Sequence, residues 1–267
     1  MTVRQIDDRD LLSAFLSTDR AACAYQIGDL DDSYFPWCTW WGAFDEQDQL
    51  RFVYLHYIGL SIPVALTFGD PDYLPGLLDG IQAELPHRFY CHIWEEHLPA
   101  FRAWFETESL RPMLRMVLSR DDFDPKADDP DVTRLGHRDT AQIVSLYDHY
   151  PDNFFEPYQL ESGLYFGITD RPGGEIVSIA GIHVLSEEYD IAAIGNLVTH
   201  PDHRGKQLAS KVTQRLLNEV FERVSLVALN VAEDNLPAVR TYEKFNFRRN
   251  HRYFEGMVRR AMLTETE

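Results

Sequence analysis

The segment that decides the fold is Leu197-Val-Thr-His-Pro-Asp-His-Arg-Gly-Lys-Gln-Leu-Ala209. It reads as the end of a strand, a short basic turn containing Gly205, and the start of an amphipathic helix. Such a turn brings backbone N–H groups together at a helix N-terminus, where the helix dipole favours an anion. Arg204 and Lys206 add positive charge there, in a chain of formal net charge -18. The segment therefore predicts a site for a phosphate-bearing ligand, with a chance basic turn as the alternative.

The composition is typical of a globular protein, with 45% hydrophobic and 25% charged residues among 267. The acidic balance argues against nucleic acid as a partner, because phosphate contacts need surplus Lys and Arg. No apolar run approaches the ~20 residues that cross a bilayer, and the N-terminus lacks the apolar segment of a secretory signal. Cys23, Cys38 and Cys91 have no metal-ligand spacing. We expect a cytoplasmic monomer or homodimer without metal or membrane contact.

Hydrophobic periodicity in the second half predicts alternating strands and helices. An Asp-rich segment with two prolines, residues 120–130, precedes it and predicts a linker or an exposed crossing. The clearest helix spans 206–221, with apolar residues at helical spacing. A second helix is capped by Asp234 or Asn235 and runs to about Lys244. The remaining predictions are a helix over 140–150 and strands over 164–168, 175–183, 192–199, 224–231 and 253–258.

The first half repeats this order more weakly, which suggests a tandem duplication. We predict helices over 8–16, 73–83 and 98–105, and strands over 40–44, 50–57, 60–68, 88–93 and 113–118. The fold class is α/β (α+β), a mixed central sheet flanked by helices, with domains 1–125 and 131–267. The segment Gly69-Asp-Pro-Asp-Tyr-Leu-Pro75 has no Arg or Lys, and its aspartates would repel a pyrophosphate. Only the second half therefore carries a predicted phosphate site.

Residues 132–260 resemble the GNAT superfamily of acyl-CoA-dependent N-acyltransferases. Arg204-Gly-Lys-Gln-Leu-Ala209 is similar to the family's Gln/Arg-x-x-Gly-x-Gly/Ala turn. Asn235-Leu-Pro-Ala-Val-Arg-Thr-Tyr-Glu-Lys-Phe-Asn-Phe247 resembles its Asn-x-x-Ala-x-x-x-Tyr-x-x-x-Gly-Phe helix. There are two departures, since Gln207 and Asn246 stand where the family has glycine. The Gln207 side chain would crowd a pyrophosphate or hydrogen-bond to it, and Asn246 tolerates a left-handed backbone.

The resemblance implies a tandem GNAT fold with a degenerate first half. It implies acetyl-CoA as cosubstrate, no metal, and an acceptor that is a small molecule or an amino group of a larger one. In the family, the strand before the turn pairs with the pantetheine arm, and the turn holds the pyrophosphate. Carried over, the cofactor-binding residues are Leu197, Val198, Thr199, Arg204, Gly205, Lys206, Gln207, Leu208, Ala209, Asn235 and Ala238.

Tyr242 is the candidate general acid, because a phenol can protonate a departing thiolate. Its helical spacing with Leu236, Val239 and Phe245 also fits a purely structural core position. Asn235 likewise reads as a plain N-cap or as an N-cap that also contacts CoA.

The general base is one of four residues or a water chain, and each of the four residues also fits a purely structural role. The four are Glu156, Glu161, His183 and Asp190. The aromatic segment 153–158 and the acidic, aromatic segment 28–37 are candidate walls of an acceptor cleft.

The sequence thus predicts an acetyl-CoA-dependent N-acetyltransferase in which a primary amine attacks directly within a ternary complex. The alternative is a non-catalytic acyl-CoA-binding sensor or scaffold protein. The acceptor's identity cannot be read from the scaffold.

Overall fold

The computed structural model describes residues 1–151, 153 and 155–261. The chain forms two compact units. Among the described residues, the first comprises Met1–Arg115, Val231–Asn235 and residues 249–261, and the second comprises Met116–Asn230 and Leu236–Arg248. The C-terminal strand thus lies in the first unit, whereas the sequence assigned residues 131–267 to one domain.

The first unit is a mixed sheet with helices. Its sheet order is β1-β2-β3-β4-β5-β13, with β6 beside β13, where only β4 and β5 are parallel. Its core lies between β2–β5 and helices α3 and α4, and includes Trp41, Phe52 and Phe89. The elements are β1 (Thr2–Gln5), α1 (Arg9–Leu16), α2 (Ala24–Gly28), β2 (Cys38–Phe44), β3 (Leu50–Tyr57), β4 (Val64–Gly69), α3 (Leu74–Ile81), β5 (Arg88–Trp94), α4 (Leu98–Trp104), β6 (Phe105–Thr107) and β13 (Arg248–Arg260).

The second unit has the sheet order β12-β11-β10-β9-β8. Neighbouring strands are antiparallel except β11 and β12, which are parallel. A further strand, β7 (Arg111–Ser119), runs along the chain from the first unit into the second. The elements are β8 (Thr133–Arg134), α5 (Thr140–Tyr147), β9 (Phe166–Thr169), β10 (Ile176–Ser186), β11 (Ile191–Thr199), α6 (Leu208–Val220), β12 (Leu226–Ala232) and α7 (Leu236–Glu243).

Helix α6 is the amphipathic helix that the sequence predicts. It contacts β9, β10 and β11, and Val212, Leu216 and Val220 on that face are fully buried. Burial of each such side chain contributes about 1.5–3 kcal/mol. The helix begins at Leu208 rather than at 206, because Gln207 has a left-handed backbone conformation.

The Asp-rich segment after β7 is held against α6 rather than extended as a linker. Phe123 packs on Phe221 with ring centroids 4.8 Å apart. Asp129 pairs with Lys211 at 2.8 Å, and Asp128 pairs with Arg215. The acidic residues of this segment therefore offset the basic face of one helix.

The mixed, helix-flanked α/β fold is confirmed. Strand β13 is longer than predicted, β4 begins later, and β1 was missed. Within the described residues, no helix combines the length and apolar character required to span a bilayer. Nor does the described part of the chain bring three or more His, Cys, Asp or Glu side chains into a metal-binding group.

Candidate active site

The basic turn after β11 presents backbone donors to solvent. Residues 204–207 are exposed, Gly205 has a φ of +77°, and a Cβ built on it would contact nothing within 4 Å. Gln207 enters α6 with φ 61° and ψ 15°, and its side chain makes no capping hydrogen bond. The first helical bond is Lys211 N–H to the Gln207 carbonyl oxygen. Among the described residues, none accepts a hydrogen bond from the backbone N–H groups of 205–210.

The charge at this turn is not neutralised by neighbouring acids. No carboxylate of the described residues lies within 4.0 Å of the side-chain nitrogens of Arg204 or Lys206. Lys206 Nζ instead lies 3.5 Å from His203 Nδ1. A helix N-terminus with unpartnered N–H groups and two unpaired cations attracts a phosphate.

Strand β11 diverges from its parallel neighbour just before this turn. The β11–β12 ladder ends at the pair Ile194 and Leu229, while β11 continues to Thr199 alongside β10. The backbone of Leu197, Val198 and Thr199 therefore follows the end of the parallel ladder. This is the stretch expected to contact a pantetheine arm.

A bulge in β11 lies at the point of divergence. Asn196 has a φ of +54°, and the register with β10 shifts between the pairs Ile179–Val198 and Gly181–Gly195. Gly181 and Gly195 face each other across the strands. A Cβ on Gly181 would lie 2.2 Å from the Tyr165 ring, and one on Gly195 would lie 1.8 Å from His183 Nε2. The glycine pair therefore makes room for these two rings.

A polar network that the sequence analysis missed surrounds the bulge. Gln159 Oε1 accepts hydrogen bonds from Glu156 N at 3.1 Å, Asn196 Nδ2 at 3.0 Å and Tyr165 Oη at 3.1 Å. Because the backbone N–H of Glu156 can only donate, the amide oxygen must face it. The Gln159 NH₂ group then faces His183 Nδ1, at 3.4 Å. Neutral His183 accordingly carries its proton on Nε2.

These contacts narrow the candidates for general base. Asp190 lies at the other end of β11, where its carboxylate accepts from Ser225 N at 2.6 Å and from the Ser225 hydroxyl. Glu161 lies 3.9 Å from His137 Nε2, and both side chains are exposed. His183 in its neutral form presents an N–H at Nε2 rather than a lone pair. Of the four candidates, Glu156 is the one that these contacts do not commit elsewhere.

Tyr242 lies on α7 and is 8% exposed. Burial raises the pKa of its phenol to about 12. Its ring packs on Phe247 with centroids 5.9 Å apart, and its hydroxyl has no hydrogen bond to any described residue. The group is therefore protonated at neutral pH and retains its proton for donation. Asn235 directly precedes α7, and Ala238 lies in its first turn.

The second half of the chain is similar to a known protein family. A model of the acetyltransferase (GNAT) family matches residues 133–247. The chain contains a GNAT acetyltransferase domain.

Solved structures share the fold over the whole chain. A Drosophila protein has 10% identity and a TM-score of 0.72, with 96% of this chain and 98% of that chain covered. A GCN5-related N-acetyltransferase from Sphaerobacter thermophilus has 16% identity and a TM-score of 0.61, with 97% and 95% covered. A tandem GNAT protein from the clavulanic acid biosynthesis pathway has 14% identity and a TM-score of 0.59, with 99% and 100% covered. Comparison with curated protein sequences gives no match.

In the first unit, a buried histidine occupies the space beyond the end of the parallel ladder. This ladder, β4 with β5, ends at Leu66 and His92. Beyond that end, His97 fills the space. Its Nδ1 lies 2.9 Å from Thr67 Oγ1 and its Nε2 lies 2.9 Å from the Gly69 carbonyl oxygen. The following turn begins with Asp70, whose carboxylate accepts from Asp72 N.

Proposed function

We propose that the protein is an acetyl-CoA-dependent N-acetyltransferase that acetylates a primary amine by direct attack within a ternary complex. One observation carries the proposal: the unpartnered backbone N–H groups of residues 205–210, beside two cations without a carboxylate partner. Phosphate groups match both features, because they accept several hydrogen bonds and carry negative charge.

The contacts of each cofactor-binding residue follow from its place in the fold. Arg204, Gly205, Lys206, Gln207, Leu208 and Ala209 would hold the pyrophosphate. The backbone of Leu197, Val198 and Thr199 would align the pantetheine arm, with Asn235 and Ala238 at the start of α7 as further contacts. A backbone N–H of β11 aimed at the developing oxyanion would stabilise it in a site without bulk water.

The acyl transfer needs no nucleophile from the enzyme. The amine nitrogen bonds to the acetyl carbon as the carbon–sulfur bond breaks, and the departing thiolate takes the proton of Tyr242. The amine proton passes to Glu156 or to a water chain. The buried thiols of Cys23 and Cys91 have pKa values raised by burial and are unsuited to act as nucleophiles.

Titration of the wild type with acetyl-CoA, followed by calorimetry or thermal shift, tests binding. Arg204→Glu should abolish it, while Arg223→Glu, a charge reversal beyond the far end of α6, should leave it intact. Release of the CoA thiol in the presence of a panel of primary amines then tests turnover. Binding without turnover across the panel would favour the sensor or scaffold reading. Absence of binding at millimolar acetyl-CoA would refute both.

A further inference from the structure

Tyr150, which follows α5, connects the end of β11 to the basic turn. Its hydroxyl donates a hydrogen bond to the Thr199 carbonyl oxygen. The Tyr150 hydroxyl oxygen also accepts a hydrogen bond from Arg204 Nη2 at 2.9 Å, and the guanidinium carbon lies 5.8 Å from the centroid of the Tyr150 ring. Thr199 is further fixed by the 2.8 Å contact of its Oγ1 with Ser178 Oγ. One hydroxyl group therefore contacts both the strand and the turn.

The direction of these hydrogen bonds follows from the donor inventory. A carbonyl oxygen only accepts and a guanidinium only donates, so the single phenol proton faces Thr199 and a lone pair faces Arg204. A phenol is an uncharged acceptor. It restricts the rotamers of Arg204 without cancelling its charge, as a carboxylate would. The interaction uses one of the five guanidinium N–H donors, and the Arg204 guanidinium has no other hydrogen-bond partner among the described residues.

We propose that Tyr150 is a positioning residue for acyl-CoA. It holds Arg204 in place to meet the phosphates, and it fixes the end of β11 that would align the pantetheine arm. The inference rests on the proposed function, because it assigns a role within that same site. It adds a residue that lies outside both sequence motifs.

Preorganisation is the physical basis of the expected effect. An exposed Arg side chain loses rotamer entropy when it is immobilised, and Tyr150 imposes part of that loss before the ligand arrives. Removal of the hydroxyl should therefore weaken acyl-CoA binding more than it alters the chemical step.

The test compares Tyr150→Phe with Tyr147→Phe. The Tyr147 hydroxyl, on α5, is buried and has no hydrogen-bond partner among the residues that the structure describes, so its removal is a matched control. We expect Tyr150→Phe to raise both Kd and KM for acetyl-CoA about three- to tenfold, with kcat changed less than about twofold. Tyr147→Phe should leave all three values near those of the wild type.

Two further measurements separate the two contacts of the hydroxyl. S-acetylpantetheine lacks the pyrophosphate that Arg204 would contact. Any loss of affinity for this ligand in Tyr150→Phe therefore reports the contact of the hydroxyl with β11 alone. In an Arg204→Met background, Tyr150→Phe should have a smaller effect on acetyl-CoA binding than in the wild type.

Unchanged acetyl-CoA affinity in Tyr150→Phe would overturn the inference while the proposed function stands. Tighter binding would also overturn it, because Tyr150 would then be holding Arg204 away from the ligand. If the wild type binds no acetyl-CoA, the proposed function fails, and this inference fails with it.

Discussion

Substitution of Gln207 by glycine should stabilise the protein, although it removes a side chain at the start of a helix. Gln207 has φ 61° and ψ 15°, is exposed, and caps nothing with its side chain. A left-handed conformation costs a residue with a Cβ roughly 1–2 kcal/mol, and glycine adopts it without that penalty. Glycine also has greater conformational freedom in the unfolded chain, which offsets about 0.4–1 kcal/mol of this gain in unfolding free energy. The net expectation is a gain of about 0.5–1 kcal/mol in unfolding free energy.

Urea unfolding and calorimetry of the purified chain measure this gain. For units of this size, we expect the melting temperature to rise by about 1–4 °C. Acetyl-CoA binding should be retained or tightened, because the N–H donors of the turn lose a neighbouring side chain.

Asn246 supplies the matched control, because its backbone is also left-handed, with a φ of +66°. Its side chain is engaged, however: Nδ2 donates to the Asp122 carbonyl oxygen at 2.8 Å. Asn also tolerates this conformation better than Gln. Asn246→Gly should therefore lose about 0.5–1.5 kcal/mol. A loss of stability in Gln207→Gly, or changes of the same sign in both variants, would refute the reasoning.

Three further outcomes are expected. Tyr242→Phe should bind acetyl-CoA normally but lower kcat about 10²- to 10⁴-fold. In the wild type, the Tyr242 phenol has a pKa of about 12 and stays protonated, so kcat should not fall between about pH 8 and 10. Burial lowers the pKa of His56 to about 4 and that of His92 to about 3. Because the unfolded chain takes up these protons more readily than the folded protein, the unfolding free energy should be greatest above about pH 6.5 and should fall as the pH drops from there to about 3. Urea unfolding at a series of pH values measures this, and substitution of both residues by Gln should flatten the profile. Gly195→Ala should displace His183, whose Nε2 would lie 1.8 Å from the new Cβ; a crystal structure with the ring unmoved would contradict this.

Sequence reasoning works best where the interactions are local. The strand end, basic turn and amphipathic helix over 197–220 follow from adjacent residues, and the structure places β11 and α6 there. The two departures from the family pattern, Gln207 and Asn246, both retain the positive φ that glycine would supply. A motif with a missing glycine can therefore still describe the correct backbone.

Contacts between distant parts of the chain were beyond that reasoning. Gln159 and Asn196 meet across 37 residues, and Tyr150 meets Arg204 across 54. A single Gln or Tyr in a loop carries no periodic signal, so nothing in its neighbourhood points to a partner. The assignment of the last strand to the first unit is of the same kind, because strand pairing depends on partners far along the chain.

The sequence by itself determined the fold class, the tandem order of elements and the position of the basic turn, because short-range periodicity and turn chemistry encode them. Only the tertiary structure decided that the parallel ladder ends before Thr199, which tautomer Gln159 imposes on His183, and that Tyr150 holds Arg204. The physical reason is that hydrogen-bond direction and burial depend on which groups the folded chain brings within about 3 Å of each other.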